Sequence, residues 1–184
     1  GITMPIERPY IAIATQNPLE REGTFPLIEA QKDRFMFSHR SEFLEGAAEL
    51  EVIRREHTGA LDWPSYFASL APVLQKADLL RFSQALRRVH VEEPVLAYIR
   101  DLVVATREHS DVELGVSARG SIALVRGAKV RAAIGNRNYV IPDDVKELAP
   151  SAFQHRLLLT REAELSGITP ARVVQEVIGA TGVP

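Results

Sequence analysis

The stretch Pro94-Val95-Leu96-Ala97-Tyr98-Ile99-Arg100-Asp101-Leu102-Val103-Val104-Ala105-Thr106 decides the fold class, because its apolar residues recur at the spacing of one helix face. Proline suits the first turn of a helix, so Pro94 marks the start. The pattern predicts an amphipathic helix that buries one side against the rest of the domain. The predicted inner face consists of Val95, Ile99, Leu102, Val103 and Thr106.

Helical patterns continue on both sides of this stretch. Upstream, apolar residues three apart predict a helix around residues 47–53, and Asp78 is placed to cap another. Downstream, Ser117 is placed to cap a helix that Gly135 ends, and Pro142 starts a further helix. We expect Pro150 to break or kink that helix. The predicted core residues are Leu79, Phe82, Leu86, Ile99, Leu102, Ile122 and Val125.

The last helix has the clearest start signal in the chain. Thr169 can cap it, and Pro170 fits its first position. Its apolar side is expected to face the core and consists of Val173, Val174, Val177 and Ile178.

Residues 1 to about 40 have a different sequence pattern, which is typical of strands and loops. Tyr10-Ile11-Ala12-Ile13-Ala14 is a continuous apolar run, which is typical of a strand buried on both faces, and Phe35-Met36-Phe37 predicts a second strand. Two such strands do not make a stable sheet alone. We therefore expect the rest of the sheet to come from sequence outside these 184 residues or from another chain. An unpaired sheet edge also favours dimers or swapped assemblies.

Composition narrows the classes of function. The net charge is −2 and cysteine is absent, so nothing calls for a nucleic-acid or membrane partner, and disulfides and cysteine zinc sites are excluded. No apolar run approaches a bilayer span, and no secretory signal is visible. The histidines fall singly along the chain, so no metal site is predicted. We expect a cytoplasmic protein.

Three polar residues are candidates for a functional site. Asn17 follows the first predicted strand, at the edge where α/β sheets bind ligands, but an asparagine before proline also fits a plain turn. Arg34 enters the second predicted strand and either reaches a neighbouring subunit's nucleotide or forms a local salt bridge. Arg119 lies in the first turn of a helix, where anions are favoured, so it either contacts a phosphate or faces solvent.

Taken together, several segments resemble the MoxR family of AAA+ ATPases. The resemblance runs through almost the whole chain and is most specific in its first forty residues. The segments are Ile13-Ala14-Thr15-Gln16-Asn17-Pro18, Glu22 to Leu27, Glu29-Ala30-Gln31-Lys32-Asp33-Arg34-Phe35, Ala105-Thr106-Arg107, Leu114-Gly115 with Ser117-Ala118-Arg119, Tyr139 to Lys146, and His155-Arg156-Leu157. Ala118 stands where the family usually has proline.

The resemblance implies a role for each candidate. Asn17 matches sensor 1, which positions the attacking water near the γ-phosphate. Arg34 matches the arginine finger, which acts on the ATP of the adjacent subunit. Arg119 matches sensor 2, which contacts the γ-phosphate from the helical lid. ATP and Mg²⁺ are the implied cofactors of the full-length protein.

The implied fold is mainly α with a small α/β remnant. Residues 1–42 are expected to be the C-terminal end of a P-loop ATPase core, with its last strands, and residues 43–184 the helical lid domain. No G-x-x-x-x-G-K-[ST] phosphate loop is present, and Gly1 stands where a natural start would have methionine. We therefore expect a piece of a longer protein, which alone neither binds ATP tightly nor hydrolyses it.

The implied function is an ATP-driven chaperone. The resemblance implies a homo-oligomeric ring of about six subunits, partners that carry von Willebrand A domains, and client proteins. The alternative is a stand-alone helical protein-interaction module without ATPase activity. A helical DNA-binding domain is disfavoured because the chain has no excess of positive charge.

Overall fold

The computed structural model describes residues 4–16 and 27–184, and this part of the chain is mainly helical. Its helices are α1 Glu29–Lys32, α2 Gly46–His57, α3 Trp63–Ser69, α4 Lys76–Ala85, α5 Glu93–Glu108, α6 Ala118–Ile134, α7 Pro142–Phe153, α8 Arg161–Leu165 and α9 Pro170–Ala180. Short 3₁₀ turns follow α4 at Leu86–Arg88 and α7 at Gln154–Arg156. None of the helices in the described part is long and apolar enough to cross a bilayer.

The core lies where α5, α6, α7 and α9 pack together. The predicted inner face of α5 is confirmed, since Val95, Ile99, Leu102, Val103 and Thr106 are all buried. The inner side of α9 is also confirmed, with Ile178 only partly buried. The apolar stripes along these two helices therefore set which sides face the interior.

Two antiparallel strands close one side of this core. β1 Val112–Leu114 pairs with β2 Leu158–Leu159, and Val112 lies opposite Leu159. Strands of three and two residues carry too little periodicity to be found in the sequence. This sheet joins the segment after α5 to the segment after α7.

The predicted caps of α6 and α9 are present. The hydroxyl oxygen of Ser117 accepts a hydrogen bond from the backbone N–H of Arg119, and that of Thr169 accepts one from Arg172. Gly135 ends α6. Asp78 has a related but different role from the predicted cap. It lies inside α4, and its carboxylate accepts the backbone N–H of Gln75, the residue before the helix, at 3.0 Å.

The two predicted strands of the first zone are not formed in the described residues. Tyr10–Ala14 has no strand pairing, and Ile11 and Ile13 are 73% and 88% exposed. A strand buried on both faces needs neighbours for its N–H and C=O groups, and no described residue supplies them here. Phe35-Met36-Phe37 forms a bend against α6 and α7, and its carbonyl groups accept hydrogen bonds from side chains that follow α7.

The predicted core is right for Ile99 and Leu102, and Leu86 and Val125 are partly buried. It is wrong for Leu79, Phe82 and Ile122, which are 38%, 42% and 49% exposed. The buried side of α6 carries mostly small residues, and hydrophobicity alone does not identify such a face. These residues are Gly120, Ala123, Leu124, Gly127, Ala128 and Ala132.

Close packing explains why α6 turns its small residues inward. A Cβ on Gly127 would stand 2.7 Å from Cζ of Phe37 and 2.9 Å from Cδ1 of Leu148. The missing side chain lets the bend at Phe37 and the side of α7 approach α6 directly. Pro150 does not end α7, which continues to Phe153, because the last turn is held by buried residues on both sides of the proline.

Candidate functional site

The three predicted site residues have different outcomes. Asn17 lies outside the described residues. Arg34 lies in the turn after α1 and is exposed. Arg119 is the second residue of α6, and its side chain is 56% exposed. Asp33, immediately before Arg34, brings the turn after α1 and the start of α6 together.

The carboxylate of Asp33 is the centre of a cluster with Ser117, Arg119 and Arg156, called the Asp33 cluster below. Both of its oxygens accept hydrogen bonds from the hydroxyl group of Ser117, with Oγ 2.9 Å from Oδ1 and 3.1 Å from Oδ2. Nη1 of Arg119 donates to Oδ2 at 3.2 Å, and Nε of Arg156 donates to Oδ1 at 3.0 Å. A single carboxylate therefore joins the residue before the predicted finger to the cap and first turn of α6.

Arg156 is the functional candidate that the sequence patterns did not single out. Its side chain is only 3% exposed. Besides the Asp33 carboxylate it donates to the carbonyl oxygens of Asp33 and Met36, each at 3.2 Å, and to those of Phe35 and Ala152. An arginine directly before the apolar run Leu157-Leu158-Leu159 was the available signal, because arginine is almost never buried without partners.

The end of α5 fixes the loop that leads into α6. The hydroxyl of Thr106 donates to the carbonyl of Val103 and accepts the backbone N–H of Val116 at 3.1 Å. Nε of Arg107 donates to the carbonyl of Val116 at 2.8 Å. Gly115 leaves room for this contact, since a Cβ there would stand 2.6 Å from Cγ of Arg107. Thr106, which is buried, and Arg107 therefore hold the loop at Val116, three residues before Arg119.

Charge in the cluster is unbalanced. Two guanidinium groups, on Arg119 and Arg156, contact one carboxylate. A third arginine, Arg34, follows that aspartate in the chain. Burial alone would raise the pKa of Asp33, but the hydrogen bonds from Ser117, Arg119 and Arg156 outweigh it and lower that pKa below its usual range. Burial lowers the pKa of Arg156 and Asp33 opposes that change, while the guanidinium stays charged. The excess of positive charge at a helix N-terminus is suited to a phosphate group.

His155 supports the same bend from the other side. Its Nε2 lies 3.1 Å from the carbonyl oxygen of Phe35, which assigns the proton to Nε2, while its buried Nδ1 has no partner among the described residues. Burial lowers the pKa of this imidazole, and the hydrogen bond to Phe35 only partly offsets the effect. The folded protein therefore favours the neutral form.

Acidification from about pH 7 to about pH 5 is expected to reduce the free energy of unfolding in part through His155. Its pKa in the folded state lies below the ordinary value of 6.5, so the unfolded chain binds the proton first as the pH falls. Denaturant unfolding at both pH values should show a smaller loss for His155→Gln than for the natural protein. His57→Gln, at the end of the exposed helix α2, is the control. An equal loss in both variants would contradict this role of His155.

A second grouping brings His109, Asp111 and Glu176 close together, where the end of α5 meets α9. Nε2 of His109 lies 3.3 Å from Oε2 of Glu176, and Nδ1 accepts the backbone N–H of Asp111. Oε1 of Glu176 accepts Nε of Arg172 at 2.8 Å. Glu176 thus contacts both His109 and Arg172, and the three side chains form one hydrogen-bonded network.

Two surface clefts of the described part lie at the far end of α6 from Arg119. One is lined by residues of α4 and by Asn136 and Arg137, and the other lies between Arg137 and the start of α7. A helix of 17 residues is about 25 Å long, so neither cleft reaches the Asp33 cluster. Beside the cluster Arg119 is half-exposed and Arg34 is exposed, so these two side chains are accessible to a ligand held mainly by another segment or subunit.

Family models match two parts of the chain. Residues 1–37 match the ATPase family associated with various cellular activities (AAA), and residues 104–177 match the AAA lid domain. The Asp33 cluster joins these two matched parts, because Asp33 belongs to the first and Ser117, Arg119 and Arg156 belong to the second.

Individual relatives match over the whole chain. The uncharacterized protein YeaC of Bacillus subtilis is 40% identical over 100% of this chain and 56% of its own length. Chaperone MoxR1 of Mycobacterium tuberculosis is 33% identical over 100% of this chain and 49% of its own length. The crystal structure of a proposed ATPase from Cytophaga hutchinsonii is 35% identical, with a TM-score of 0.87 over 98% of this chain and 56% of that one. The chain thus spans about half the length of the curated relatives it matches.

Proposed function

Because the chain belongs to the MoxR-type AAA+ ATPases, we propose that it supplies the hydrolysis-triggering half of an ATP-driven chaperone that works as a ring in the cytoplasm. Residues 1–42 would end the ATPase core, and residues 43–184 would form its lid. ATP and Mg²⁺ would be held mainly by the other half of the full-length protein. Remodelling of client proteins, with partners that carry von Willebrand A domains, is part of the same proposal.

One observation carries the proposal: Asp33 binds Arg119 directly and lies next to Arg34 in the chain. A ring built from heterologous contacts brings one subunit's surface against a different surface of its neighbour. In such a ring Arg119 would contact the γ-phosphate of its own subunit, and Arg34 would reach the nucleotide of the next. Asn17 would orient the attacking water. Phosphoryl transfer depends mostly on this kind of positioning and charge stabilisation.

The surroundings of Arg119 fit a nucleotide phosphate. Arg119 is half-exposed at the N-terminus of a long helix, and its only ion-pair partner among the described residues is a carboxylate. A carboxylate and a phosphate oxygen are interchangeable ligands for a guanidinium group. Arg119 would bind the γ-phosphate of the ATP on its own subunit, and Arg34 would bind that of the ATP on the next subunit. Both guanidinium groups would offset the negative charge of the phosphates.

Mixed rings test the assignment of Arg34 and Arg119 to opposite sides of one ATP site. Full-length Arg34→Ala and Arg119→Ala should each lose turnover as pure assemblies. In a random equal mixture, about one quarter of the interfaces would combine an intact Arg119 with an intact Arg34 of the neighbour. Turnover should therefore recover to about a quarter of the natural rate, as measured by phosphate release.

Dilution of each variant with natural subunits is the control for subunit exchange. Failure of the two variants to restore each other, with exchange demonstrated, would contradict the trans assignment of Arg34.

The runner-up function is a stand-alone helical protein-interaction module. One observation favours it: α3 exposes a cluster of aromatic rings, with Trp63, Tyr66 and Phe67 each more than half exposed and 5.9–6.1 Å apart. Such a module would bind its partner equally well with or without Arg34. Loss of turnover in Arg34→Ala therefore separates the two functions.

A further inference from the structure

We propose that Arg156 is a positioning residue for Arg34: it holds the turn that carries Arg34 so that the guanidinium group meets the neighbouring subunit's nucleotide in a fixed orientation. This inference rests on the proposed function, since it assumes that Arg34 acts in trans. Arg156 itself is buried and acts through the backbone and through Asp33.

The turn around Arg34 has few restraints of its own. α1 is a single turn of four residues, and three backbone hydrogen bonds continue past it, from Asp33 to Glu29, from Arg34 to Gln31 and from Phe35 to Lys32. So short a helix is marginal without tertiary contacts. The next backbone bond of this segment is the one from Ser38 to Ser151, on α7. The orientation of Arg34 therefore depends on contacts to the lid.

Arg156 supplies those contacts on both sides of Arg34. It donates to the carboxylate and carbonyl of Asp33 before it, and to the carbonyls of Phe35 and Met36 after it. The planar guanidinium has five N–H donors in a fixed geometry, so several bonds to one short segment fix its shape. A lysine has a compact, rotatable charge and does not reproduce this arrangement.

Arg119 meets the same carboxylate in a looser way. It makes one bond to Oδ2 of Asp33 and is 56% exposed, whereas Arg156 is buried and binds Oδ1. Arg119 is therefore free to leave Asp33 for a phosphate, and Arg156 remains to neutralise the carboxylate. This difference predicts that the loss of Arg156 disturbs the position of Arg34 more than the contact of Arg119 with its own subunit's ATP.

The kinetic test uses Arg156→Lys in the full-length protein. A misplacement of about 1 Å costs on the order of 100-fold in rate, so kcat should fall by about 10- to 100-fold while KM for ATP stays nearly unchanged. Arg172→Lys is the matched control, because Arg172 is exposed on α9 and forms an ion pair with Glu176. A fall in ATP affinity equal to the fall in turnover would overturn the proposal.

Mixed rings then show on which side of the ATP site Arg156 acts. Arg156→Lys should regain turnover when mixed with Arg119→Ala and should not regain it when mixed with Arg34→Ala. The reverse pattern would overturn the inference and leave the proposed function standing. Failure of Arg34→Ala and Arg119→Ala to restore each other would instead remove the proposed function, and this inference with it.

Hydrogen exchange gives a readout that does not need ATPase activity. In Arg156→Lys the amides of Arg34, Phe35 and Ser38 should lose protection, while those of α6 and α7 keep theirs. Loss of protection throughout α6 and α7, or failure of the variant to fold, would assign Arg156 to the stability of the lid and overturn the positioning role.

Discussion

Arg34→Ala in the full-length protein is expected to lower ATP turnover by a factor of about 10³–10⁵, the range that an arginine finger contributes. The lost guanidinium would stabilise the charge that develops on the transferred phosphoryl group. ATP affinity should change little, because Arg34 would contact the nucleotide of another subunit and chiefly in the transition state. Turnover is measured by phosphate release, and affinity by titration with a non-hydrolysable nucleotide.

Arg40→Ala is the matched control for this variant, since Arg40 is also exposed and lies six residues further along the chain. It should keep turnover near the natural rate. Unchanged turnover in Arg34→Ala, with the ring intact, would contradict the role of Arg34.

Phe153→Ala is expected to reduce the free energy of unfolding of this chain by about 3–5 kcal/mol, as for other buried aromatic residues. Phe153 is fully buried at the end of α7 and leads directly into the turn that carries Arg156. Its removal leaves a cavity among packed helices that relax only partly. Denaturant unfolding followed by circular dichroism measures the loss.

Leu165→Ala is the control for the core prediction. Leu165 lies at the end of α8 and is 80% exposed, so its truncation should change the free energy of unfolding by no more than about 0.5 kcal/mol. Similar losses in the two variants would contradict the position of Phe153 in the core.

The helices could be predicted because their signals are local. The stripe of α5 and the caps at Ser117 and Thr169 depend on residues within one or two turns, and the structure confirms them. Caps and stripes act through neighbours three or four positions away, which a single sequence displays.

The strands could not be placed in the same way. An apolar run such as Tyr10–Ala14 indicates a strand only if other strands pair with it, and the described residues contain no such partners. The two strands that do form, β1 and β2, are too short to show a period. α6 gave a further error at Ile122, because small residues rather than large ones face the core.

The candidate site was predicted residue by residue and not as an arrangement. Arg34 and Arg119 came from their place in motifs, and their roles stay predictions, as does that of Asn17. The carboxylate that links them is 86 residues from Arg119 and 123 from Arg156 along the chain. Such contacts depend on how α1 packs against the helices of the lid, and local spacing carries no signal for them.

The most direct measurement is a structure of the full-length assembly with a bound ATP analogue, read for the distances from the two guanidinium groups to the γ-phosphate. We expect Arg119 of one subunit and Arg34 of its neighbour to lie within hydrogen-bonding distance, about 3 Å, of the same γ-phosphate. An assembly in which Arg34 faces solvent in every subunit, far from any nucleotide, would contradict the proposed function.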